Sequence, residues 1–168
     1  MGTPLPRDPI ADARLNWENH GWADVAAPMA AITAIMRTQQ ILMARIEAAL
    51  KPFGLTFARY ELLALLSFAR GGALPMNKAS ALLQVHPTSV TNAVDRLQGA
   101  GLVRRSPHPT DGRTTLIELT AEGRTLATQA TAVLNAEVFG QSGFEDQDVE
   151  QLIRILGTFR RNAGDFTD

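Results

Sequence analysis

Pro87-Thr-Ser-Val-Thr-Asn-Ala-Val-Asp-Arg-Leu97, then Gly101-Leu-Val-Arg-Arg105, then Asp111-Gly-Arg-Thr-Thr-Leu-Ile-Glu-Leu-Thr120 are the strings that decide the fold. In the first, Val90, Ala93, Val94 and Leu97 recur at helical spacing and form one apolar stripe. Pro87 suits the first turn of a helix, where its missing N–H costs nothing. Gly99 or Gly101 stops that helix just after Gln98. Its other face carries Thr88, Ser89, Thr91, Asn92, Asp95 and Arg96. These side chains are short enough to approach base edges and rich in donors and acceptors, as a helix entering a major groove requires. Most surface helices also have a solvated polar face, so this helix by itself fits an ordinary amphipathic helix equally well.

The flanking segments break that tie. Met76 to Leu83 reads as a helix, and Gln84-Val85-His86 as a short turn, which gives the helix-turn-helix spacing. Val103 to Ser106 and Thr115 to Leu119 read as two short strands around Pro107, Pro109 and Asp111-Gly112, a hairpin. Arg104, Arg105, His108 and Arg113 crowd this hairpin. An arginine near a hairpin tip can enter the minor groove, where the potential is negative. From Arg96 to Arg113 there are four arginines against one acid, Asp111, a net of +3. From Glu137 to Asp168 there are seven acids against three arginines, a net of −4, while the whole chain carries −1. A nucleic-acid partner would therefore meet a local basic patch and not a polycation.

Working outward, Val25 to Leu50 holds apolar residues at helical spacing (among them Ile32, Ile35, Met36, Ile46 and Leu50), and Pro52 and Gly54 end that helix. Its apolar face is broader than one neighbour needs, which points to a dimer seam. Thr56 is a good N-cap for an almost wholly apolar helix that ends at Gly71-Gly72 and forms the centre of the lobe. Thr120 caps a helix to about Phe139, and Glu145 to Asn162 is the last helix. Residues 1–16 hold three prolines and little periodicity and read as a mobile arm, with a short helix around Trp17 to Trp22 broken at Gly21. The expected division is an N-terminal arm or short extra helix over 1–24, a helical dimerisation region from 25–55 and 121–168, and a winged helix DNA-binding lobe over 56–120. The fold class is mainly α with a small β-hairpin wing, a winged helix-turn-helix.

The three quoted strings resemble the MarR (multiple antibiotic resistance regulator) transcription factors, most specifically in Asp-x-Arg followed at fixed distance by Leu-Thr. The resemblance extends over about Val25 to Asn162. It implies that the helix from Pro87 to Gln98 is the recognition helix, that Arg113 is the wing arginine of the minor groove, and that Asp111 orients it. It also implies that the first and last helices form a homodimer, which binds an inverted-repeat operator in double-stranded DNA, usually as a repressor. Many such proteins release DNA when a small, often aromatic or anionic, molecule binds between the dimer region and the DNA lobe. Trp17, His20, Trp22, Phe53, Phe57, Arg59 and Tyr60 are the candidates to line such a site near the junction of the first two long helices, because an aromatic lining with one arginine suits an organic anion. Phe57 and Tyr60 fit core burial at least as well.

Other classes find little support. His20, His86 and His108 are far apart, and there is no phosphate-binding glycine loop and no Gly-x-Ser-x-Gly elbow, so an enzyme is not expected. A winged helix that binds protein would expose large apolar or acidic residues where Thr88, Ser89, Thr91, Asn92 and Arg96 stand. The chain has no cysteine, which rules out disulfides, thiolate metal sites and a thiol redox switch. No cofactor or metal is expected. The start lacks the pattern of a signal peptide and no apolar run is long enough for a membrane span, so the expectation is a cytoplasmic protein with no membrane partner.

Overall fold

The computed structural model describes residues 4–83, 87–108 and 114–167, and of Pro87 the backbone alone. The expected turn at residues 84–86 and the hairpin tip with Asp111 and Arg113 lie outside the described residues.

Residues expected to belong to a mobile arm form helix α1, Pro9–Asn19. The Asp8 carboxylate accepts the Ile10 N–H at 3.0 Å, and Pro9 sets φ in the first turn. Half-buried Ile10, Ala13 and Trp17 then recur on one face, and α1 packs against the next helix. The cap and that sparse stripe outweigh the proline content of the segment. The chain reverses at Gly21, whose φ of 86° suits a residue without Cβ. Trp17 and Trp22 meet edge to face there, with ring centroids 5.4 Å apart, and His20 stacks on Trp22.

Helix α2, Ala23–Leu50, has 28 residues and is about 42 Å long at 1.5 Å per residue. Only its C-terminal end reaches the lobe, where Ile46, Ala49 and Leu50 are buried. A 3-10 turn at Lys51–Phe53 and left-handed Gly54 stop it. Helix α3, Phe57–Phe68, buries Tyr60, Leu62, Leu63 and Leu66 and forms the centre of the lobe, although Phe68 at its end is exposed. Thr56 does not cap α3 as expected; its hydroxyl oxygen accepts from the Arg59 side chain at 3.2 Å instead.

Strand β1, Ala73–Pro75, leads into α4, Met76–Leu83, and α5, Pro87–Gly99. Strands β2, Val103–Pro107, and β3, Thr115–Leu119, follow. The sheet is antiparallel in the order β1-β3-β2, with Leu74 and Arg105 both opposite Ile117. The hairpin was expected and β1 was not, since three residues carry no alternation and its partner is far along the chain. Ile117, Val90, Val94, Leu97 and Val103 join the α3 leucines in one core.

Thr120 caps α6, Ala121–Leu134, by accepting the Gly123 N–H at 2.9 Å. A side chain at Gly123 would put its Cβ 2.0 Å from the Leu102 carbonyl oxygen, so the bare glycine lets α6 seat against the start of the wing. The Tyr60 hydroxyl and Thr131 Oγ1 share a hydrogen bond of 3.0 Å, tying α3 to α6. Helix α6 widens into one π turn, Asn135–Phe139. The last helix, α7, Asp146–Asn162, has acids in its first turn and Arg160 and Arg161 in its last, as the helix dipole favours, and it buries none of its residues.

Candidate nucleic-acid interface

Val90, Val94 and Leu97 are each at most 1% exposed and hold α5 on the lobe. The opposite face is open: Thr88, Ser89, Thr91, Asn92, Asp95 and Arg96 are all exposed. The stripe read from the sequence thus fixes which way the helix faces, and it leaves the short polar side chains on the outside.

The wing stands directly beside that face. Arg104 is 73% exposed at its side chain while its guanidinium pairs with Glu118 at 2.6 Å. The Ser106 hydroxyl donates to the same carboxylate. These two donors, Ser106 first, hold the Glu118 carboxyl below the usual carboxylate range. Arg105 lies differently. It donates to Asp95 Oδ1 at 2.6 Å and to the Gln98 side chain, so it joins β2 to α5 within the molecule. His108 is half-buried, and its backbone N–H donates to the Thr114 carbonyl at 3.0 Å, closing the base of the hairpin. The sequence puts Asp95 on the polar face offered to DNA and gives Gln98 no role; in the structure both accept from Arg105, one turn apart on α5. The arginine cluster therefore divides into Arg96, exposed on α5, Arg104, exposed but paired with Glu118 within the sheet, and Arg105, paired with Asp95 across to α5.

The residues expected to line a ligand site do not meet in one chain. Trp17, His20 and Trp22 lie at the start of α2. Phe57 and Tyr60 stack on each other (centroids 6.3 Å apart) beside its far end. The length of α2, about 40 Å, separates the two groups. Arg59 faces a shallow cleft with Glu47, Lys51 and Thr56, and Phe53 is half-buried against the core. One helix from Val25 to Leu50 sets Trp17 to Trp22 at its start and Phe53 to Tyr60 past its end, so grouping them at one junction conflicts with the length of that helix.

Among the described residues no group of three His, Asp or Glu side chains could hold a metal ion, and no helix is long and apolar enough to cross a membrane.

A family model described as "MarR family" matches residues 53–114. The HTH-type transcriptional regulator YhbI of Bacillus subtilis is 33% identical over 134 residues, 80% of this chain and 80% of that protein. The HTH-type transcriptional repressor Rv2887 of Mycobacterium tuberculosis is 33% identical over 102 residues, 61% of this chain and 72% of that protein. Among solved structures, Sco5413, a MarR family transcriptional regulator from Streptomyces coelicolor, is 48% identical with a TM-score of 0.76, covering 84% of this chain and 99% of that one. CouR from Rhodococcus jostii, bound to p-coumaroyl-CoA, is 28% identical with a TM-score of 0.65, covering 75% and 88%.

Proposed function

This chain belongs to the MarR family of transcriptional regulators, and from that premise we propose that it is a homodimeric repressor that reads an inverted-repeat operator with α5 and its wing. The observation that carries this is the division of α5, with Val90, Val94 and Leu97 buried and the face from Thr88 to Arg96 open, next to the strand β2 that Arg105 ties to it. In this role Thr88, Ser89, Thr91 and Asn92 reach base edges, and Arg96 and Arg104 meet phosphates. Pro87 starts the helix, His108 supports the hairpin, and Asp111 orients Arg113 for the minor groove. Repression is supported by the name of the 33% identical Rv2887.

One lobe covers half a site. Two lobes held about 34–36 Å apart read a palindrome, so assembly sets function. The surface for assembly is the bare apolar face of two helices. On α7, Leu152, Ile155, Leu156 and Phe159 form a stripe at helical spacing, and Phe159 is 70% exposed. On α2, Val25, Ile32, Ile35 and Met36 are exposed on the same side that buries Ile46 and Leu50 further along. Contiguous exposed apolar side chains mark interaction surfaces, and a second copy supplies the same two faces.

Release by a small organic ligand completes the proposal, supported by p-coumaroyl-CoA bound to CouR. Such a ligand must bind the geometry that misplaces the lobes better than the geometry that fits DNA. The test of the proposal is a salt titration of binding to a selected duplex. Arg113→Ala is expected to weaken binding and to reduce the salt dependence by about one phosphate contact per chain. Unchanged affinity at every salt concentration would contradict the wing's role.

A further inference from the structure

A cleft of about 920 Å³ lies between the segment leading into α1 and the C-terminal half of α2. It is of the size that takes a small organic molecule. Three arginines line it: Arg7 from the leading segment, and Arg37 and Arg45 from α2. The ion pairs among the described residues use none of the three. Arg37 donates to the neutral Gln40 side chain at 3.1 Å. Arg45 donates to the Ser142 carbonyl at 3.2 Å and to the Gln141 carbonyl, in the loop just before α7. The single acid in the lining, Asp8, already accepts the α1 cap hydrogen bond. The apolar part of the lining is Pro4, Leu5, Ile41, Ala44 and Ala48, and it contains no aromatic ring. Leu5 and Ile41 are left substantially exposed.

The cleft centres on the side of α2 away from the middle of the assembly stripe, and Met36 of that stripe borders its edge beside Arg37 and Gln40. Ala44 lines the cleft and Ile35 lies in the bare apolar stripe. They are nine positions apart on one helix, a rotation of about 180° at 100° per residue. The cleft is distinct from both aromatic clusters, since neither contributes to its lining.

We propose that this cleft binds an amphiphilic aliphatic anion, a carboxylate on a medium-length alkyl chain. The guanidinium forks suit a carboxylate, which they can hold through paired charge-assisted hydrogen bonds. The alkyl chain covers Leu5, Ile41 and Ala44, removing their apolar surface from water. The absence of aromatic lining sets the preference for an aliphatic over a flat aromatic body. Arg45 gives the site a connection: the same side chain borders the ligand and holds the carbonyls that lead into α7. Its consequence for DNA binding rests on the dimer reading above; the binding site itself does not.

The test is isothermal titration calorimetry of the full chain with sodium decanoate, below the concentration at which it forms micelles and without DNA. Saturable binding of one decanoate per chain is expected, weakened about tenfold or more by Arg37→Gln, since a charge-assisted hydrogen bond contributes that much. Decanol, with the same chain and no charge, is expected to bind comparably weakly. Arg14→Gln, outside the cleft, is the control and is expected to bind as the parent does. Circular dichroism and operator binding of each variant establish that it is folded. No saturable binding by a chain that binds its operator, or equal binding of decanol and decanoate, overturns the inference and leaves the DNA-binding function standing. Undiminished binding by folded Arg37→Gln overturns it as well.

Discussion

Arg105 on β2 donates to Asp95 on α5 at 2.6 Å, and to Gln98 one turn further along the same helix. The strand that carries the wing is thereby fixed to the helix proposed to enter the major groove.

Two expectations for Arg105 can be separated. If it contacts DNA, Asp95→Asn frees its charge and strengthens binding. If it braces the wing, Asp95→Asn and Arg105→Met each weaken operator binding, and the double variant is little worse than either single one. The brace is expected. Because an exposed ion pair contributes only about 0.2–1 kcal/mol to stability, the melting temperature should shift little while operator affinity falls by several-fold. Tighter binding by Asp95→Asn would contradict the brace.

The assembly surface makes a separate prediction. Ile155 lies on the apolar stripe of α7, 53% exposed and in contact with nothing that buries it. Ile155→Glu is expected to give a folded monomer by analytical ultracentrifugation, with operator affinity reduced at least about tenfold, or 1.4 kcal/mol. A monomer that binds the full operator as tightly as the parent would show that lobe spacing does not depend on this helix.

Glu61 offers a pH-dependent check on the lobe. It is half-buried on α3, and desolvation raises its carboxyl above the ordinary value. The folded state therefore takes up this proton more readily than the unfolded chain, and the ionised form costs stability at neutral pH. Glu61→Gln is expected to raise the melting temperature at pH 7. That gain should vanish below about pH 4, where the carboxyl is protonated in both states. A gain of equal size at both pH values would assign the effect to something other than the charge.

The parts of the fold that were legible in advance are those written in local chemistry. Val90, Val94 and Leu97 announce the buried side of α5, and the side chain of Thr120 makes the cap that its position before α6 implies. The parts that were not legible depend on distant partners. Strand β1 exists because Leu74 pairs with Ile117, more than forty residues away. Thr56 stands at the cap position of α3, yet its side-chain oxygen accepts from Arg59 and caps no backbone N–H. The helix of residues 9–19 rests on one carboxylate cap and a thin stripe within a proline-rich segment. For the candidate site, residue types alone grouped Arg104 with Arg105; the geometry turns one outward and the other onto Asp95. The aromatic residues do not converge because the helix between Trp22 and Phe53 is continuous over 28 residues, with the two groups at its opposite ends.

The central claim is that α5 reads base edges, and Asn92 is the side chain that tests it most directly. It is exposed on the open face, one position before the half-buried Ala93 and two before the buried Val94. Removing its amide should leave the fold intact and remove a paired donor and acceptor suited to adenine. The measurement is selection of binding sites from random duplex DNA by the parent and by Asn92→Ala. The parent is expected to enrich an inverted repeat with half-site centres about one helical turn apart, and the variant to lose preference at a symmetric pair of positions within it. The same consensus from both proteins would contradict the claim.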